Sequence, residues 1–192
     1  MNKLLAIISQ TVVLMPGEEQ VVNKLFHQKT YNKGEHLLQT GEICRYIFFI
    51  DTGLVRYYTV TDGEERTSYF NKEGEFVCNY PSFLPQTPGF VNIQALEDTT
   101  VWAINHHDLQ LFYQQLRNGE RFGRLAIEEV FVSFNAQITS MYTDDPETRY
   151  LKFLSNYPDL QQRIPQYYIA SYIGVKAPSL SRIRRRMAGK RY

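Results

Sequence analysis

Between residues 30 and 104 the chain is cut at short intervals by turn-forming groups. They are Asn32-Lys33-Gly34, Thr40-Gly41, Asp51-Thr52-Gly53, Thr61-Asp62-Gly63, Lys72-Glu73-Gly74 and Pro85-Gln86-Thr87-Pro88-Gly89. The segments between them are rich in Val, Ile, Phe, Tyr and Thr, residues that fit a pleated, half-buried surface. Segments this short do not carry a helical face, and their spacing is close to the roughly 8–12 residues of a sandwich or barrel. Asp62-Gly63, between segments 54–60 and 65–70, is a strong hairpin signal. The expectation is an antiparallel, jelly-roll-like β roll of about eight strands.

Helical patterns flank the roll. Residues 1–27 read as helical with a break at Met15-Pro16-Gly17. Glu18 and Glu19 suit a first turn, where carboxylates meet the positive end of the helix. Val21, Val22, Leu25 and Phe26 then share one face. Ser9, Gln10 and Thr11 interrupt the opening apolar stretch and no small-x-small cleavage site follows, so an amphipathic helix is expected rather than a signal peptide. Residues 106–142 turn helical again. Arg124, Ile127, Phe131, Phe134, Ile138 and Met141 step by 3, 4, 3, 4, 3, a narrow heptad seam. Such a seam packs on its own domain or on a second copy. Its narrowness, after a finished β domain, favours a dimer interface made by Ile127, Phe131, Phe134, Ile138 and Met141.

Asp145 is then a candidate N-cap, with Pro146 at the first helical position and Glu147 behind it. A boundary near 143–145 follows. The remainder reads as three helices, 146–156, 165–173 and 177–188. The fold class is α+β: an antiparallel β roll over 1–118, a long dimerisation helix over 119–143 and a small all-α domain over 144–192.

Composition narrows the functional classes. With 14 Tyr and 12 Phe in 192 residues, long disordered stretches are not expected. Cys44 and Cys78 are too few for a disulfide framework or a four-thiolate metal site. They fit a reducing, cytoplasmic setting and leave a single disulfide open. No apolar run approaches the roughly 18 residues of a membrane span. The sequence has no Gly-rich phosphate loop and no nucleophile elbow. A cupin-type metal site needs three or four convergent His or Glu ligands, and His106-His107 stands without a nearby His-x-His. Neither a catalytic residue nor a metal site is expected.

The net charge of +1 hides an asymmetry. From Lys176 onward stand Lys176, Arg182, Arg184, Arg185, Arg186, Lys190 and Arg191 with no acid, while the remainder holds 14 bases against 20 acids. A basic tip on an acidic body suggests contact with a polyanion. The same segment carries a helix-turn-helix pattern. Ala170 and Gly174 are small where two helices cross, and Gly suits the left-handed turn. Ile169, Ile173 and Val175 face Leu180, Ile183 and Met187. Pro178, Ser181, Arg182 and Arg185 fall on the opposite side of the second helix with Arg186 beside them, and Ser179 and Arg184 flank the apolar stripe. Arg reaches a guanine edge with two hydrogen bonds, and Ser and Arg hold phosphates. The candidate DNA-binding residues are Lys176, Ser179, Ser181, Arg182, Arg184, Arg185 and Arg186. The alternative is a ligand-binding signalling module whose basic C-terminus meets a protein.

A β roll, a seam helix and a terminal helix-turn-helix, in that order, resemble the Crp/Fnr family of bacterial transcription regulators. The likeness rests on Lys33-Gly34-Glu35, Gly41-Glu42, the run from Tyr46 through Gly53 to Tyr58, Gly74-Glu75-Phe76, the stretch Tyr168 to Gly174, and Ser179 to Arg184. It spans nearly the whole chain. It implies a cyclic-nucleotide-binding-like effector domain over 1–118, a homodimer, a palindromic double-stranded operator and RNA polymerase as a further partner.

The likeness weakens at the ligand. Where cyclic-nucleotide binders carry Glu for the ribose, this chain has Asn79. Where they carry Arg-Ser for the phosphate, it has Gly89-Phe90, and no Arg or Lys occurs from 73 to 116. A buried phosphate without a cation costs several kcal/mol. Neither cAMP nor cGMP is expected to bind in the usual way. Two readings of Phe76, Cys78, Asn79, Tyr80, Phe83, Gly89 and Phe90 stay open: they line a pocket, empty or holding an apolar or neutral effector, or their aromatics fill the roll. Iron–sulfur relatives use four cysteines, which this chain lacks. His27, His36, His106, His107, Cys44 and Cys78 have no diagnostic haem-ligand spacing. The recognition helix also departs, with Ala177-Pro178 where relatives often place Arg-Glu, while Arg182 matches a DNA-contacting Arg. After helix 177–188 no room is expected for the β wing that many relatives carry.

Overall fold

The computed structural model describes residues 1–189, so Lys190 and Arg191, counted above in the basic tip, lie outside the described residues. The chain forms two compact units. One joins Met1–Tyr57 to Phe70–Val130, and the other joins Tyr58–Tyr69 to the residues from Phe131 onward.

The first unit opens with α1 (Asn2–Thr11) and α2 (Glu18–Leu25). Glu18 is buried, and its carboxylate accepts the Met15 N–H at 2.8 Å and the Arg117 N–H at 2.6 Å. It thus fastens the start of α2 to a segment 99 residues away. The roll follows as β1 (His27–Tyr31), β2 (His36–Leu38), β3 (Tyr46–Thr52), β4 (Leu54–Thr61), β5 (Glu64–Lys72), β6 (Phe76–Val77), β7 (Asn92–Ala95) and β8 (Thr99–Asn105). Two four-stranded sheets result, in the orders β1-β8-β3-β6 and β2-β7-β4-β5. The pairs β1/β8, β2/β7, β3/β6 and β3/β8 are antiparallel. Asp62 and Gly63, at φ of +53° and +76°, close the β4–β5 hairpin. Positive φ at both central residues belongs to the type I′ turn, whose twist matches that of the strands.

Between the sheets lie Phe48, Ile50, Val55, Val77, Phe83, Ile93, Val101 and Ala103, all fully or almost fully buried and joined to Leu4, Ile8 and Val22 of the opening helices. The core continues to Phe112 of α4 (His106–Gln115) and Phe122 of α5 (Gly119–Thr143).

In the second unit, α6 (Pro146–Asn156) starts as expected, with the Asp145 carboxylate accepting the Thr148 N–H at 2.7 Å. Two helices follow, α8 (Gln166–Tyr172) and α9 (Ala177–Gly189), preceded by the short α7 (Leu160–Arg163). Tyr150, Phe153, Leu160, Ile164, Ile169, Ile173, Leu180 and Ile183 supply a separate core.

Four boundaries differ from the sequence-based expectation. The opening helical region stops at Leu25, because Phe26 is extended and His27 already pairs with Ala103. The region expected to be all strand contains a helical turn, α3 (Tyr80–Phe83), with Pro81 in its first turn where no N–H is needed. The stretch 106–142 is two helices, broken where Leu116 becomes extended. The loop between the first two C-terminal helices holds α7, whose Leu160 is buried.

Candidate functional site

The helix-turn-helix is built on burial of one stripe. Ile169 and Ala170 of α8, Ile173 at its C-cap, and Leu180 and Ile183 of α9 are buried. Gly174 takes a φ of +73° in the turn between them, and a Cβ there would lie 2.9 Å from Met141 Cε. On the other side of α9, Ser181, Arg182, Arg185 and Arg186 are exposed, as is Lys176 just before it, while Ser179 and Arg184 are half-buried along the stripe. All seven predicted positions therefore fall on or beside the outward face of one helix.

Three of their cations have partners among the described residues. Arg182 Nη2 donates to Ser179 Oγ at 3.0 Å. Arg186 pairs with Glu147. Lys176 Nζ sits 2.5 and 2.6 Å from the two carboxylate oxygens of Glu64. Hydrogen bonding by this ammonium holds the Glu64 carboxyl below its ordinary range.

Glu64 belongs to the tip of the β4–β5 hairpin, which is part of the same compact unit as the helix-turn-helix. Ser171 of α8 also grips that tip. Its Oγ accepts the Thr67 N–H at 2.8 Å and donates to the Glu65 carbonyl at 3.1 Å. β5 ends its sheet, and the Ser171 hydroxyl bonds two backbone groups of this edge strand. Gln137 of α5 donates to the Ser68 carbonyl, and Tyr69 Oη lies 2.7 Å from Ser133 Oγ. Sequence reasoning missed this grip. Thr67 and Ser171 are 104 residues apart and no local pattern joins them.

Along α5, Phe131 is 67% exposed and Phe134 51%, with Ile138 and Met141 also exposed and Ile127 half-buried. Val130 is exposed on the same side. One helix thus presents a contiguous apolar face of the kind that marks an interaction site.

In the roll, the predicted pocket residues fall into two groups. Phe76 packs against Phe49 and Phe122 with ring centroids 5.2 and 5.9 Å apart, and Phe83 is fully buried beside His106. Asn79 is buried, and a Cβ on the buried Gly89 would lie 2.6 Å from Asn79 Nδ2. Phe90 stands apart from these, 84% exposed. The cause is local: the Gly89 backbone pairs with the 41–42 turn, Gly41 N–H to its carbonyl and its N–H to Glu42, which turns Gly89 inward and the next side chain outward. Cys44 lies next to this group, although the sequence did not place it there. Its N–H donates to Ser82 Oγ at 2.9 Å, and its Sγ donates to the Tyr46 carbonyl at 3.4 Å. Cys78 N–H donates to Tyr57 Oη at 2.9 Å.

Burial pushes the Tyr57 and Tyr80 phenols above their ordinary range, so both are neutral at any ordinary pH. The cluster carries thiols, phenols and an amide, and no cation. The roll does contain one buried guanidinium, Arg56 of β4, whose Nη2 donates to Gln94 Oε1 at 3.3 Å. Alternation along the strand sets it with Leu54 and Tyr58, on the opposite side from Val55 and Tyr57, which join the core between the sheets. Among the described residues no three His, Cys, Asp or Glu side chains are grouped to hold a metal ion, and no helix is long and apolar enough to cross a membrane.

Residues 28–127 match the family model of the cyclic nucleotide-binding domain, just over half of the chain. The chain belongs to the cyclic nucleotide-binding domain family. No curated protein matches it in sequence. Among solved structures, this cyclic nucleotide-binding domain protein is similar to FixK2 of Bradyrhizobium japonicum, with 17% identity over 86% of this chain and 85% of that one and a TM-score of 0.74. It is similar to a protein of Eubacterium rectale described as a regulator of the Crp/Fnr family, with 15% identity over 92% and 85% and a TM-score of 0.68. The catabolite activator protein of Thermus thermophilus matches at 18% identity over 96% and 87%, with a TM-score of 0.59. At these identities the likeness is one of fold, and the fold is that of Crp/Fnr regulators.

Proposed function

We propose that the protein is a dimeric, sequence-specific DNA-binding transcription regulator of the Crp/Fnr type. In this reading residues 1–118 are the effector domain, 119–143 the dimerisation helix and 144–192 the DNA-binding domain. The observation that carries it is the outward face of α9, where Ser181, Arg182, Arg185 and Arg186 are exposed over buried Leu180 and Ile183. A helix so placed enters the major groove by its first turns, with guanidinium groups on base edges and phosphates. The apolar face of α5 supports pairing with a second copy. A dimer would set two such helices about 34 Å apart on a palindromic site.

The effector domain is proposed to work without a cyclic nucleotide held in the family's usual way. The positions that the resemblance assigns to the ribose and cyclic phosphate hold Asn79, Gly89 and Phe90. Gly89 is pressed against Asn79, and Phe90 points to solvent. The monoanionic cyclic phosphate would find no cation there.

The test is a fluorescence-anisotropy titration against DNA fragments selected from the native genome. Specific binding is expected at about 50 mM salt, falling as log K against log salt with a slope near −0.9 per phosphate contacted. Arg182→Ala is expected to cost about 1–3 kcal/mol and to relax preference at one base step of each half-site. Absence of DNA binding at low salt, with a protein partner lost on charge reversal at Arg182 and Arg185, would replace this reading with the signalling module. A large thermal shift with cAMP would overturn the ligand argument.

A further inference from the structure

Ser133, Gln137 and Ser140 recur on α5 at intervals of four and three, so they share a stripe on a different side of the helix from Phe131, Phe134 and Ile138. With Arg149 of α6 and a group of aromatic rings they line a cleft of about 410 Å³. Small-molecule sites occur at roughly 300–1,000 Å³. Every residue of the wall belongs to the second compact unit, so the cleft is separate from the roll's interior.

Three features of the wall are specific. The Arg149 guanidinium is held by two backbone carbonyls, Nε on Ile173 at 2.8 Å and Nη1 on Asp144 at 2.6 Å, and Nη2 has no partner among the described residues. The Asp144 carboxylate is taken by Lys152 Nζ at 2.6 Å and by the Ser140 hydroxyl. The cleft therefore keeps one cation fixed in place and unmatched by an acid. Gln137 donates its amide to the Ser68 carbonyl, while its Oε1 is buried and accepts nothing among the described residues. An acceptor so placed costs free energy until a donor reaches it. Phe153 packs against Tyr157 and Tyr172, with ring centroids 5.5 and 5.6 Å away, and the two tyrosines meet edge to face at 5.9 Å. Such rings form a wall for a flat apolar body.

The spacing of the polar groups sets the size of the occupant. A Cβ on Gly174 would lie 2.9 Å from Met141 Cε and 3.7 Å from Arg149 Nη2, so the guanidinium sits beside Met141. Gln137 is one turn earlier on α5, about 6 Å along the axis. That is close to the length of one benzene ring with a substituent at each end.

We propose that this cleft binds a small aromatic carboxylate that carries a hydrogen-bond donor on the far side of its ring. The carboxylate lies on Arg149 Nη2, the donor meets Gln137 Oε1, and the ring rests against the tyrosines. One unmatched cation suits a monoanion, whereas a phosphate dianion would bring a second charge without a partner. Bound there, the ligand ties α5 to α6 and to Ile173 at the C-cap of α8, all of which line the cleft.

The full chain is titrated by isothermal calorimetry with para-hydroxybenzoate, with benzoate, which lacks the donor, and with para-hydroxybenzamide, which lacks the charge. Para-hydroxybenzoate is expected to bind one per chain with a Kd below about 1 mM, and each analogue about ten-fold or more weaker. In the isotope-labelled wild-type chain, the amide signals of Gln137, Arg149 and Ile173 are expected to shift as ligand is added. Gln137→Met removes the acceptor, so the preference for para-hydroxybenzoate over benzoate should vanish while benzoate binds as before. Absence of saturable binding by para-hydroxybenzoate at about 1 mM would overturn the proposal. Equal affinities for the three compounds, signal shifts confined to the roll, or a hydroxyl preference that survives Gln137→Met would do the same. The wild-type titrations decide even if the variant misfolds, and they contain no DNA, so they stand or fall separately from the DNA-binding reading.

Discussion

Gly53 joins β3 to β4 at a φ of +106°, and a Cβ there would lie 2.4 Å from Thr99 Oγ1 and 2.7 Å from Thr99 Cα. Both the backbone conformation and the close approach exclude a side chain. Gly53→Ala is expected to destabilise the protein by about 3 kcal/mol, from strain and overpacking of about 1–3 kcal/mol each. A urea midpoint lowered at unchanged slope would show it. Cys44 gives a second test at this scale. Its ultraviolet thiolate absorbance is expected to rise as pH increases through about 7, with a single thiol titrating there because Cys78 is held up by burial. Cys78→Ala removes the largest cause of the lowering, so the step should move toward the ordinary thiol range. A titration unchanged by that substitution would show that Cys78 is not the cause. Residues whose role is set by near neighbours were legible in the sequence: Asp62-Gly63 as a hairpin turn, Asp145 as an N-cap, Gly174 as the helix-turn-helix corner. The hydrogen bond from the Cys44 N–H to Ser82 Oγ was not, because it joins segments 38 residues apart.

At the scale of elements, the β4–β5 hairpin and α8 depend on each other through one hydroxyl. Ser171→Ala removes the hydroxyl's bonds to the Thr67 N–H and the Glu65 carbonyl. The expected loss is about 1 kcal/mol, the ordinary net worth of such a bond. The distinguishing readout is amide exchange at Thr67, which should accelerate more than exchange in the core of α8. The ion pair Lys176–Glu64 is exposed on both sides and contributes little to stability. It does occupy a cation proposed to touch DNA. Glu64→Gln is therefore expected to leave thermal stability nearly unchanged while raising DNA affinity a few-fold at low salt, and the gain should shrink as salt screens the competition. An affinity indifferent to Glu64 would remove Lys176 from the contact set. The strands and most helices were readable from turn chemistry and periodicity, since those patterns are written within each element. The short α3 and α7 were not, because four residues are too few for a period to appear. The grip of the hairpin on α8 was hidden for a different reason. It uses backbone groups, which every sequence carries alike.

At the scale of the whole molecule, an acidic body and a basic end make a chain whose formal charge of +1 conceals its polarity. Net charge alone would not draw such a protein to DNA, so in the proposed function affinity comes from geometry: two basic helices presented at once to one duplex. That places the burden on α5. Its exposed Phe131 and Phe134 are costly to leave in water. If the seam pairs two copies, Phe131→Asp should give a folded monomer by sedimentation, with the far-ultraviolet dichroism of the parent. Each monomer would still carry an intact α9, so binding to a half-site should persist at its former weak level. Binding to a full palindromic site should fall by about 10²-fold or more, because the second helix would no longer be delivered at a high effective concentration. The two measurements separate the possibilities. A variant that stays dimeric would move the interface elsewhere on the chain. A monomer that keeps full affinity for the palindrome would show that one recognition helix suffices and that duplication has no part in recognition.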